Sequence, residues 1–151
     1  MDVARRSSGT PGIHVWLVLM KAYRALSHLS LGSIANTGMC FTDFAILEAL
    51  LHKGPLPVNT MAPLVNLTSG SMTTAVDRLQ TRGLVRRAAD PGDRRARIVQ
   101  LTPEGHQLIE GVFRQHSADM EEVASVLTAN ERETLLRLLK KLGRHAASIA
   151  P

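Results

Sequence analysis

The chain has 151 residues, of which 44% are hydrophobic and only 3% aromatic, with a formal net charge of +5. That length fits one domain whose core is aliphatic, which suits helix packing, and no apolar run approaches the roughly 20 residues of a membrane span. Cys40 is the single cysteine, so an internal disulfide is excluded; no Cys/His spacing suits zinc, and a reducing, cytoplasmic setting is expected.

Residues 1–11, "MDVARRSSGTP", carry no periodic pattern and are expected to form a flexible tail. Arg5 and Arg6 precede an apolar stretch, as in a secretory leader, but the stretch continues as "KAYRAL" in helical register without a small-residue cleavage site. A helix is expected over 12–31. Its apolar residues, from Ile13, Val15 and Trp16 to Tyr23, Leu26 and Leu29, occupy more than one face. Such a helix must be covered nearly all round, which in so short a chain points to a partner subunit. Thr42 is the expected N-cap of a second helix, "DFAILEALLHKG", with Phe44, Ile46, Leu47, Leu50 and Leu51 on its buried face and Gly54 at its end. An extended link follows, then a brief helix opened by Asn59 or Thr60 and interrupted by Pro63.

The stretch "LTSGSMTTAVDRLQTRGLV" predicts a helix capped by Thr68, buried through Met72, Ala75, Val76 and Leu79, and stopped by Gly83. Its other face starts with Ser69, Gly70, Ser71, Thr73 and Thr74, short residues that let another surface come close, and continues with Asp77 and Arg78. "LVRRAA" and "ARIVQL" read as two strands of a hairpin around Asp90-Pro91-Gly92-Asp93. Thr102-Pro103 starts a helix running to about Val126, and Thr128-x-x-Glu131 is a capping box opening a leucine-rich last helix.

Charge is concentrated in one place. Between Arg78 and Arg97 lie seven arginines (78, 82, 86, 87, 94, 95 and 97) and two aspartates, which accounts for the whole net excess of +5. A solvated face would explain a charge run, but confinement to one hairpin and the helix before it points to an anionic partner, most simply DNA. A short helix, a turn and a second helix with a hydroxylated leading edge follow helix-turn-helix logic, and the basic hairpin makes the unit a winged helix. The expected fold is mainly α with a small β-hairpin wing.

With its Asp93-Arg94-Arg95 wing, then Leu101-Thr102 leading into "PEG", with "TSGSMTTAVDRLQTRGLV" and with "FTDFAILEAL", the chain resembles the MarR-type transcriptional regulators over about residues 12–145. "TSGSMT", "DRRARIVQLT" and "FRQHSADMEEV" look most like its quinone- and phenol-responsive branch. The resemblance implies a winged helix-turn-helix over about 42–102, flanked by dimerisation helices at about 12–31 and 103–148 of a single domain, 12–151. It places Ser69, Ser71, Thr73, Thr74 and Arg78 toward the major groove of double-stranded DNA. Arg94, Arg95 and Arg97 would serve the wing, with Arg95 at its tip near the minor groove and Asp93 bracing an arginine. The implied function is that of a homodimeric repressor of a pseudo-palindromic operator, without cofactor and without a membrane role. Two departures are Pro63, inside the helix before the recognition helix, and a compact wing loop.

Members of this family often bind aromatic acids or phenols beside the DNA-binding lobe, which singles out Trp16, Tyr23, His28, Phe44 and His52 as pocket candidates. Taken singly, each of these reads as a packing residue before it reads as a ligand contact. The alternative is a thiol sensor of the same fold using Cys40, although Cys40 has no neighbouring Lys or Arg in sequence and apolar flanks. An enzyme is not expected: the histidines 14, 28, 52, 106, 116 and 145 accompany no nucleophile setting, Gly-rich phosphate loop or metal spacing.

Overall fold

The computed structural model describes residues 9–90, 92 and 97–150. The element order is α1 (Gly12–Asn36), α2 (Phe41–Lys53), β1 (Leu56–Pro57), α3 (Val58–Leu64), α4 (Ser69–Thr81), β2 (Val85–Ala89), β3 (Arg97–Leu101), α5 (Pro103–Ala124) and α6 (Ala129–Ile149). The three strands form one antiparallel sheet in the order β1-β3-β2, with Val85 opposite Leu101 and Ala89 opposite Arg97. The fold is therefore mainly helical with a small wing, as expected.

Local chemistry sets most of the boundaries. The Thr68 side chain accepts the Ser71 N–H at the start of α4, and Thr102 accepts the Gly105 N–H at the start of α5, where Pro103 needs no donor. Thr128 and Glu131 form the reciprocal capping box that opens α6. Gly83, at φ 71°, takes the left-handed position that ends α4.

Three boundaries differ from the sequence reading. Thr42 does not cap α2: Cys40 occupies the extended N-cap position without a side-chain cap, and its carbonyl already accepts the Phe44 N–H at 3.0 Å. Helix α1 continues past Leu31 to Asn36, because Ser33 and Ile34 bury their side chains at its end. Helix α3 opens at Val58, ahead of Asn59 and Thr60, because the extended Pro57 serves as its N-cap. Pro63 lies inside α3, where its ring nitrogen cannot donate to the preceding turn, and the helix ends one residue later.

The core lies between α2, α3, α4, the sheet and the first half of α5. Ile46, Leu47, Met61, Met72, Val76, Leu79, Val99 and Ile109 are all completely or almost completely removed from water there. At its edge Gly105 sits so close to the chain before it that a Cβ would come within 1.9 Å of the Leu84 carbonyl oxygen. The Thr102 hydroxyl donates to the Gly83 carbonyl at 2.6 Å, so the end of α4 and the start of α5 are tied together behind the wing. No residue of α6 is buried, and Ile13, Trp16, Leu17, Val18, Tyr23, Leu135, Leu136 and Leu138 are exposed on α1 and α6.

Candidate nucleic-acid interface

Helix α4 buries Met72, Ala75, Val76 and Leu79 and leaves Ser69, Gly70, Ser71, Thr73 and Thr74 exposed on one edge. The Thr73 and Thr74 hydroxyls bond back to the Ser69 and Gly70 carbonyls at 3.0 and 3.2 Å, and the Ser71 hydroxyl accepts from Thr68 at 2.9 Å. These are local bonds at an exposed surface, so each hydroxyl can exchange them for another partner. The helix N-terminus behind them presents unpaired N–H groups and the positive end of the helix dipole, a setting that favours phosphate.

Arg78, Arg82 and Arg87 are held rather than free. Asp43, 2% exposed in the first turn of α2, receives the guanidinium of Arg78 on one carboxylate oxygen and that of Arg82 on the other, the latter at 2.8 Å. Both arginines remain nearly half exposed, at 46% and 43% of their side-chain surface. Because Arg78 in the last turn of α4 and Arg82 at its C-cap stand one helical turn apart, a single carboxylate reaches both. Asp43 holds Arg78 more firmly in its charged form, through the hydrogen bond first and its charge second. Arg87 on β2 bonds Asp77 at 2.6 Å and Gln80 at 2.8 Å, which ties the wing to α4.

Sequence reasoning missed Asp43, whose signal is an acidic residue opening an apolar helix in a chain where two arginines stand four apart on another helix. Of the wing residues, Arg97 is exposed at the start of β3; Asp93, Arg94 and Arg95 lie outside the described residues. Cys40 is exposed rather than packed, and its sulfur lies 3.9 Å from an Arg78 nitrogen, so the cation absent from its sequence neighbours is supplied by the fold.

The five pocket candidates divide. Tyr23, Phe44 and His52 line one cavity of about 520 Å³ together with Phe113 and His116, which were not among the candidates. That volume falls within the range typical of small-molecule sites. His52 meets Phe113 edge-on with centroids 4.7 Å apart, and Phe44 meets His116 in the same way at 5.1 Å. His28 lines a separate groove between α1 and α5, and Trp16 is 55% exposed and lines neither. Among the described residues no cluster of His, Cys, Asp or Glu could hold a metal ion, and no single helix is long and apolar enough to cross a membrane.

Comparison with known proteins agrees with this geometry. The profile of the MarR family matches residues 41–96, from the start of α2 into the wing. The HTH-type transcriptional regulator MhqR of Bacillus subtilis is 37% identical over 134 residues, covering 89% of this chain and 92% of that protein. A mutant MarR from E. coli, solved in complex with operator DNA, superposes with a TM-score of 0.72 at 24% identity, over 86% of this chain and 94% of that one. A Bordetella bronchiseptica BpsR structure, described as a mechanism for regulation of its DNA binding by 6-hydroxynicotinic acid, gives 0.71 at 25% identity over 86% and 98%. A helix with a close-approach edge, a three-stranded wing and a likeness that spans almost the whole of a named regulator place the chain in the MarR family of winged-helix transcriptional regulators.

Proposed function

We propose that the protein acts in the cytoplasm as a homodimeric, non-enzymatic repressor that binds a pseudo-palindromic operator and is released by a small aromatic ligand. The observation that carries this reading is the exposed small-residue edge of α4 (Ser69 to Thr74), set beside an arginine-rich wing. Short hydroxyls at a helix N-terminus reach base edges and phosphates in the major groove, and wing arginines reach phosphates and the narrow minor groove. Ser71 then contributes to base readout, and Arg78, Arg94, Arg95 and Arg97 supply the electrostatic share. A second copy covers the apolar faces of α1 and α6, and two-fold symmetry sets the two recognition helices about one DNA turn apart.

The cavity behind α2 supports the ligand-responsive part, because α2 also carries Asp43, which grips α4 through Arg78 and Arg82. A ligand that favours one placement of α2 biases the spacing of the recognition helices; near-complete release requires about 5.5 kcal/mol of differential affinity. BpsR, of similar fold, is described as having its DNA binding regulated by a small hydroxylated aromatic acid.

The test is a DNA titration at several salt concentrations, comparing the palindromic segment upstream of the gene with a scrambled duplex. Tight, salt-sensitive binding of a dimer to the palindrome alone supports the proposal. Equal, weak binding to both duplexes refutes operator recognition at that site.

A further inference from the structure

The α1–α5 contact contains a polar chain that the proposed DNA-binding surface does not use. Ser33, buried near the end of α1, donates its hydroxyl proton to an Asp119 carboxylate oxygen at 2.6 Å and lies 3.1 Å from His116 Nδ1. The other Asp119 oxygen accepts from the Gln115 amide at 2.9 Å. Hydrogen bonds from Ser33 and Gln115, and then the neighbouring His116, hold the Asp119 carboxyl below the ordinary carboxylate range, so it accepts and does not donate.

The direction of the chain follows from counting protons. A serine hydroxyl has one proton, and here it is given to Asp119. The Ser33 oxygen can therefore meet His116 Nδ1 only by accepting from an Nδ1–H. A neutral imidazole with its proton on Nδ1 has a bare lone pair on Nε2, which leaves the ring on the side away from Ser33. Ser33 and Asp119 line the groove between α1 and α5, whereas His116 lines the aromatic cavity, and His116 Nε2 has no hydrogen-bond partner among the described residues.

We infer that Asp119 and Ser33 fix the tautomer of His116 so that the cavity presents an acceptor nitrogen, selecting uncharged aromatic hydroxyl compounds over aryl carboxylates. The inference rests on the effector cavity proposed above and specifies the chemistry it takes. A phenolic O–H donates to Nε2, and the ring meets the edges and faces of Phe44, Phe113 and Tyr23. An aryl carboxylate offers only acceptors to that nitrogen. Glu48, 3.7 Å from His52, and Lys53 line the same cavity with opposite charges, so the preference against a carboxylate rests on His116. His116 is a specificity residue, and Ser33 and Asp119 position it.

The experiment uses the full chain at about pH 8, where an ordinary imidazole and phenol are both uncharged and benzoate is ionised. Ligand-observed NMR titrations give the affinities for phenol and benzoate, and nitrogen-15 spectra read the His116 tautomer. The expected result is a protonated Nδ1 and phenol binding at least tenfold tighter than benzoate. In Ser33→Ala the preference should shrink severalfold and the His116 signals move toward a tautomer mixture, while operator affinity and the circular dichroism spectrum are kept. His116→Leu should lose the preference through weaker phenol binding. A protonated Nε2, or benzoate binding as tightly as phenol, would overturn the inference and leave the cavity as an effector site. Binding of neither compound would overturn the effector cavity itself, together with the inference, and leave the DNA-binding reading intact.

Discussion

Replacing Asp43 by alanine should weaken the fold and, at the same time, strengthen indiscriminate DNA binding. The carboxylate is buried and accepts two guanidinium hydrogen bonds, each of a kind that contributes about 1.5–3 kcal/mol when one partner is charged. The full sum is not lost. Arg78 and Arg82 are 46% and 43% exposed and regain water when released, and the desolvation of a buried carboxylate disappears with it. The net expectation is a loss of about 1–3 kcal/mol, read as a fall in Tm of roughly 2–4 °C per kcal/mol for a chain of this size. Two cations are then freed beside the proposed DNA surface. On scrambled duplex the slope of log affinity against log salt should steepen by about 0.9 for each arginine that engages a phosphate, up to about 1.8 per protomer. Asp43→Asn keeps the shape and one acceptor, so it should lose less stability while steepening the slope similarly. Thermal melts together with salt-dependent anisotropy titrations measure both quantities. An unchanged Tm with an unchanged slope would show that the clamp neither supports the fold nor restrains the arginines.

Gly105→Ala places a methyl against the Leu84 carbonyl and should destabilise by at least about 1–3 kcal/mol, measured by urea unfolding; a neutral result would mean the α4–α5 junction yields freely. Thr128→Ala should weaken α6 by about 1 kcal/mol, a loss that hydrogen exchange at its first turn detects. The Glu131 carboxyl is held below its ordinary range by hydrogen bonds from the Thr128 backbone and hydroxyl. Its stabilisation is thus complete above about pH 5 and fades as pH falls through the folded value, so Glu131→Gln should flatten the acid side of the stability curve and leave neutral pH behaviour governed by other groups. Ser71→Ala should change discrimination among operator variants by about 1 kcal/mol, and Arg95→Ala should lower affinity for every sequence and reduce the salt slope by about one; the reverse pattern in either variant would reassign that residue.

What could be read from the sequence was local. As helix caps and stop, Thr68, Thr102, Thr128 and Gly83 act within a few residues of themselves, and each sits where its short-range chemistry requires. Thr42 misled because threonine is a good cap, yet Cys40 had already turned the chain into α2 without one. From sequence the end of α1 falls at Leu31, where the apolar pattern runs out, while the packing of Ile34 and the bond from Ser33 to α5 keep the chain helical to Asn36. Asp43 with Arg78 and Arg82, and Ser33 with His116 and Asp119, join residues that are far apart in the chain, and no spacing rule brings them together. The small-residue edge of α4 was legible for a different reason: an amphipathic period fixes which side is turned away from the core, whatever the tertiary partner.

The capping box of α6 has a meaning beyond its own turn. A 21-residue helix with no buried residue has little tertiary packing of its own to hold it, and stays helical on length, capping and side-chain spacing. In the homodimer proposed above, a helix kept in shape before the second copy arrives would let two protomers meet as ready-made surfaces, without a chain that must order during the encounter. Assembly can then be fast and reversible at low protein concentration. Loosening that first turn would shift the threshold concentration at which the regulator becomes whole, even with every residue of the recognition helix left in place.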